Sequence, residues 1–144
     1  MHGIKDNRER LLKGKDTRGR ISIVASLEDE QRSLHIVIQD DGRGLAVKKL
    51  LVRAQDHGIM AGGMELSQIA ELVFIPGLST APQVSQISGR GIGMDAVRQF
   101  LAESGGRIWL ELKEPLDPHG DFYSFVTHIE LPLEAKFGPL EAVA

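Results

Sequence analysis

Cysteine is absent from the 144 residues, which excludes a disulfide scaffold, a cysteine-ligated zinc site and a thiol nucleophile. A basic excess is missing too. Lys and Arg total 17 against 20 Asp and Glu, a net charge of −3, whereas a general nucleic-acid or membrane-surface binder carries surplus positive charge. Apolar runs are only a few residues long, far short of a membrane span. Nothing at the amino end has the length or apolar character of a secretory signal, so the cytoplasm is the expected compartment. What is present is 42% apolar and 26% charged, the mixture of a globular chain about one domain long. Glycine is the informative excess. There are 16, several spaced two apart, which suggests backbone that approaches something closely.

Residues 1–20 are dense in charge and predict a short, weakly anchored helix or loop. Ile21, Ile23, Ala25 and Leu27 then alternate with other residues, as do Leu34, Ile36 and Ile38, predicting two strands of a hairpin with one buried face each. Val47, Leu50, Leu51 and Ala54 follow helical spacing. A second helix is expected from Ser67 as N-cap, carrying Ile69, Ala70 and Val73 and stopping at Pro76-Gly77. After the long polar connection 77–93, a third helix from about Ile92 to Glu103 should bury Ala96, Val97, Phe100 and Leu101, with Gly105-Gly106 as its stop. Two strands close the chain. One places Ile108, Leu110 and Leu112 on a face; the other places Tyr123, Phe125, Thr127, Ile129 and Leu131 on a face and ends at Pro132. Strands next to strands with helices between predict an α+β two-layer sandwich with helices on one face.

Two glycine-rich segments are candidates for chemistry. Asp40-Asp41-Gly42-Arg43-Gly44 follows a strand, where an aspartate can accept a hydrogen bond from an exocyclic amine such as adenine's and glycines leave room for a flat ring; a plain strand-end turn uses the same residues. Ser88-Gly89-Arg90-Gly91-Ile92-Gly93-Met94 opens a helix, where bare N–H groups and the helix dipole suit a phosphate; a flexible linker reads the same way. The spacing matches neither a dinucleotide fingerprint nor a P-loop. Phe74-Ile75-Pro76-Gly77-Leu78-Ser79-Thr80 enters the loop between them and serves as a helix stop whether or not it also hinges a lid.

Taken together, these segments resemble the ATP-binding domain shared by gyrases, chaperones, histidine kinases and MutL-type repair proteins, the GHKL superfamily. The stretch VFIPGLSTAPQVSQISGRGIGMDAV, with IQDDGRGL and HGIKDNRERLLKGK, is similar to the CheA-type chemotaxis histidine kinases over roughly residues 2–133. The resemblance implies a two-layer sandwich with a mixed sheet, incomplete at its N-terminal side. It implies ATP or ADP as ligand, with Asp40 on the adenine amine and Gly42 and Gly44 shaping the pocket. Ser88, Gly89, Arg90, Gly91, Ile92, Gly93 and Met94 would hold the phosphates, and Pro76, Gly77, Leu78, Ser79 and Thr80 would form the lid. Mg²⁺ would bridge phosphate oxygens, and the γ-phosphoryl group would pass to a histidine on another domain.

Several departures accompany the resemblance. The family places a metal-binding helix directly before HGI, whereas here His2-Gly3-Ile4 follows Met1; that helix is expected to be absent, Asn7 does not stand in its place, and residues 1–20 become a remnant. Leu78 replaces a phenylalanine, and Ser124-Phe125 stands where the family has Gly-Thr. The core is expected over 21–133 with a lid at 76–93, and 134–144 as a partly disordered tail. Ile21, Ile23 and Ile36 are expected to lie exposed, favouring self-association or another domain of a parent kinase as partner. His35, His57, His119 and His128 show no metal-ligand spacing and are read as ordinary strand, helix or loop residues, so no protein-held metal and no catalytic residue is assigned. The alternative is a non-catalytic relative that acts as a nucleotide sensor or interaction module.

Overall fold

The computed structural model describes residues 7–78 and 93–134. In chain order they form α1 (Asn7–Leu12), β1 (Ile21–Glu28), β2 (Ser33–Asp40), a short β3 (Leu45–Ala46), α2 (Val47–Asp56), α3 (Leu66–Glu71), α4 (Met94–Glu103), β4 (Arg107–Pro115) and β5 (Phe122–Pro132). β5 is the hub of the sheet. It pairs with β2, β3 and β4, and β2 in turn pairs with β1. Each of these pairings is antiparallel, where the resemblance implied a mixed sheet.

The core lies on one face of this sheet. Ile108, Leu110 and Leu112 of β4 are buried against Val47, Leu50 and Ala54 of α2, Ile69 and Ala70 of α3, the turn Leu72–Phe74 and Leu101 of α4. Tyr123, Phe125, Ile129 and Leu131 of β5 pack on the same cluster. Period-two strands and a helical stripe thus meet as an α+β two-layer sandwich.

The layers do not match in width. All eight residues of β1 are exposed, with Ile23 at 65% and Leu27 at 63%. The register continues the apolar face outward through Ile23 opposite Ile38 and Ala25 opposite Ile36, but the helices sit over β4 and β5. The expected buried face of β1 is therefore corrected: alternation gave the strand, not its cover. Ile21 and Ile23 are exposed as expected, and Ile36 is half-buried.

Two helix ends also differ from expectation. The N-cap of α3 is Glu65, because Gln68 Oε1 accepts the Glu65 N–H at 2.9 Å; Ser67 lies inside the first turn. The α-helix stops at Glu71 and tightens into a 3₁₀ turn, Leu72–Phe74, and Ile75 is extended as residues before proline are. α4 begins at Met94 and ends as expected: Gly105 takes φ +76° and Gly106 N–H donates to Leu101 C=O at 2.8 Å. Of its expected buried residues only Leu101 is fully covered. Val97 packs at the core edge, whereas Ala96 and Phe100 face outward, Phe100 59% exposed. No helix among the described residues is long and apolar enough to cross a membrane.

Candidate nucleotide site

β2 ends in Asp40, and the chain turns at once. Asp40 Oδ1 accepts the Gly42 N–H at 2.7 Å, an Asx-type turn that fixes the carboxylate at the strand end. Its Oδ2 takes no hydrogen bond among the described residues. Asp41, one residue on, is fully engaged. Arg10 Nη1 and Nη2 donate to its two oxygens at 3.1 and 2.7 Å, and the Arg20 N–H adds a bond at 2.9 Å. Of the two adjacent acids, only Asp40 keeps an oxygen for a ligand.

The Arg10–Asp41 pair answers how residues 7–20 are held. Arg10 is 1% exposed, and its remaining donors reach the carbonyls of Asp16 and Arg18 at 2.6 and 2.9 Å. Lys15 Nζ donates to the carbonyls of Asp41 and Gly42 at 2.7 and 3.0 Å. The weakly anchored segment expected from sequence is instead tied to the Asp-Gly turn by five charge-assisted side-chain hydrogen bonds, three from the buried Arg10 guanidinium to Asp41 and two from Lys15 Nζ. That bonding, led by Arg10 and then by the Arg20 N–H, lowers the Asp41 carboxyl from 3.8 to about 2.

Gly44 completes the turn. Its φ is +79°, and a Cβ there would lie 2.4 Å from the Tyr123 carbonyl oxygen and 2.8 Å from Leu116 Cδ1. The close approach brings the turn against β5, and a cavity forms between Asp40, Gly42 and Gly44 on one side and Leu116, Ser124 and Phe125 on the other, with Lys15 and Asp41 at its edge. It encloses about 40 Å³, space for a water but not a purine, with Leu116, 40% exposed, on its wall. Ser124 does not offer its hydroxyl freely, since it exchanges bonds with the main chain of Glu114 at 3.2 and 3.3 Å. The flat wall is Phe125.

The structure thus brings together Asp40, Gly42 and Gly44 and adds Ser124 and Phe125, the pair that departs from the family's Gly-Thr, Lys15 from the HGIKDNRERLLKGK stretch, and Leu116, which no motif had marked. The role of Arg10 was equally invisible, because its partner is 31 residues away. Pro76 and Gly77 are exposed, Leu78 is fully buried in the core, Gly93 caps α4 and Met94 packs at the core edge; none of them lines this cavity. Ser79, Thr80, Ser88, Gly89, Arg90, Gly91 and Ile92 lie outside the described residues. Among the described residues no group of three or more His, Asp or Glu is placed to hold a metal ion, and Asp41 is already spent on Arg10. The described residues therefore do not fit Mg²⁺.

Residues 4–135 match the family model of histidine kinase-, DNA gyrase B- and HSP90-like ATPases. The chain is 39% identical over 136 residues to the chemotaxis protein CheA of Bacillus subtilis, covering 92% of this chain and 19% of that protein. It is 40% identical over 109 residues to the chemotaxis protein CheA of Cereibacter sphaeroides, covering 74% and 16%. Against the gliding motility regulatory protein of Myxococcus xanthus it is 36% identical over 115 residues, covering 74% and 14%. The chain spans less than a fifth of the length of each of these relatives.

Proposed function

Since the chain belongs to the family of histidine kinase-, DNA gyrase B- and HSP90-like ATPases and is an ATP-binding module of that family, we propose that it serves a chemotaxis-type two-component kinase. In this reading the module delivers the γ-phosphoryl group of ATP to a histidine on another domain, in the cytoplasm. The observation that carries the placement of the base is the contrast at the Asp-Gly turn: Asp41 is closed by Arg10 and Arg20, and Asp40 keeps one oxygen beside a glycine-walled cavity.

Asp40 accepts from the adenine amine, Phe125 supplies an apolar wall, and Gly44 keeps the turn close to β5. Ser88, Gly89, Arg90, Gly91, Ile92, Gly93 and Met94 hold the phosphates with backbone N–H groups, and Pro76, Gly77, Leu78, Ser79 and Thr80 hinge the lid. No step is assigned to Mg²⁺. Other domains of a parent kinase are the proposed partners, and the exposed β1 offers a second copy of this chain a surface for self-association, which would appear as a concentration-dependent mass in sedimentation.

Asp40→Asn tests the anchor. It keeps the volume but presents a mixed donor and acceptor, and losing a hydrogen bond to a charged group predicts about 10-fold or greater weakening of ATP binding by calorimetry. Unchanged affinity in a folded variant would remove Asp40 from the site.

A further inference from the structure

On the sheet face opposite the packed core, four strands place four titratable side chains in a row. His35 of β2 and His128 of β5 are 93 residues apart, and the antiparallel register makes them diagonal neighbours, His128 opposite Val37 and His35 opposite Glu130. His35 Nε2 lies 3.1 Å from His128 Nδ1. The ring planes differ by only 22° with centroids 5.3 Å apart, so the imidazoles meet edge to edge. Each outer nitrogen faces a carboxylate. His128 Nε2 is 2.9 Å from Glu111 Oε2 on β4, and His35 Nδ1 is 3.8 Å from Glu28 Oε1 at the end of β1. Trp109 stacks beside both rings at 5.0 and 5.8 Å.

Counting protons shows what the row lacks. An ionised carboxylate only accepts, so neutral His128 keeps its proton on Nε2 for Glu111 and leaves Nδ1 bare. His35 Nε2–H fills that lone pair, which leaves His35 Nδ1 bare against the Glu28 carboxylate. Acceptor faces acceptor there, and this is the one wide gap in the row, 3.8 Å against 2.9 and 3.1 Å. Three junctions share two ring protons. One added cation satisfies all three.

The geometry points to a site for one divalent transition-metal ion of the zinc, copper or nickel class, held between His35 Nε2 and His128 Nδ1 with water completing its shell. The His35 proton moves to Nδ1 and donates to Glu28, so both imidazoles then carry a carboxylate behind them, the arrangement that orients metal-bound histidine. Bonds of about 2.0–2.1 Å at a tetrahedral centre separate two nitrogens by about 3.3 Å, close to the spacing already present. Imidazole nitrogen selects such ions over Mg²⁺ and Ca²⁺. Lys113 pairs with the other oxygen of Glu111 and Arg107 with Glu130, so Glu28 is the carboxylate of the row whose charge is left to offset the ion. Because the four groups stand on β1, β2, β5 and β4, the ion also clasps the exposed edge strand to the sheet.

Trp109 is the only tryptophan and reports on the site directly. In the chelator-treated full chain, Cu²⁺ should quench its fluorescence saturably at one ion per chain, and Zn²⁺ should bind with the same stoichiometry by calorimetry and raise the melting midpoint. His35→Gln and His128→Gln should each weaken binding about 10-fold or more, Glu111→Gln by about 10–100-fold, and the pair His57→Gln with His119→Gln should change nothing. Circular dichroism and ATP titration of each variant separate lost metal affinity from lost fold, and from any failure of the nucleotide assignment. Quenching that persists in His35→Gln and His128→Gln would overturn the site. So would a pair found to take up a proton by nuclear magnetic resonance while binding no Zn²⁺ at neutral pH.

Discussion

At the turn after β2, two neighbouring acids divide the work between architecture and ligand. Asp41 is bonded by Arg10 and the Arg20 N–H, and its carboxyl titrates at about 2 in the folded chain against 3.8 ordinarily. A depressed folded-state value means that the unfolded chain takes up the proton first, so this contribution is complete above about pH 3.8 and is lost as the pH falls toward 2. Asp41→Asn should therefore be less stable near neutrality and show a shallower loss of stability between pH 4 and 2 in denaturant titrations. Equal slopes for variant and parent would mean that the Arg10 pair does not couple to folding. Gly44 is constrained differently. Alanine there meets the Tyr123 carbonyl at 2.4 Å while holding φ at +79°, and relief requires the turn to move off β5. Gly44→Ala should cost about 2 kcal/mol or more in chemical unfolding, with ATP affinity falling alongside.

Among the elements, energy and exposure divide the sheet across its width. Leu110 lies beneath the helices and is 7% exposed, so Leu110→Ala should cost about 2–5 kcal/mol; Ile23 on β1 is 65% exposed, and at dilution where the chain is a monomer Ile23→Thr should stay within about 0.5 kcal/mol. A comparable loss at both positions would mean that β1 is covered in solution, as self-association requires. This gradient explains what was readable in advance. Periodicity located every strand of the hairpins and the stripe of α2, because each depends on its own residues. It could not tell that β1 lies beyond the helices or that Phe100 turns outward, because cover comes from another layer. Motif spacing found Asp40, Gly42 and Gly44 because the turn is local, and missed the role of Arg10, the lining by Leu116 and the meeting of His35 with His128, which the fold brings from far along the chain.

For the whole molecule the open choice lies between a kinase module and a nucleotide sensor. The two differ in what the phosphate end does, since both would hold adenine at Asp40. A module built to deliver the γ-phosphoryl group must gain binding from that group, whereas a sensor need only grip the base and the first phosphates. None of the four described histidines lines the Asp40 cavity, and no described group of three or more acidic or histidine side chains is placed to hold a metal, so neither a phosphoacceptor nor a Mg²⁺ site accompanies that cavity among the described residues. The expected outcome is tighter binding of ATP than ADP, by about 10-fold if one charge-assisted phosphate contact is lost, with no labelled phosphate passed to a separately added histidine domain. Equal affinity for ATP and ADP, with and without magnesium, would favour the sensor. Transfer at the rate of an intact kinase would show that the isolated chain assembles the complete phosphoryl site, and would place the missing groups in residues 79–92 or at the chain ends.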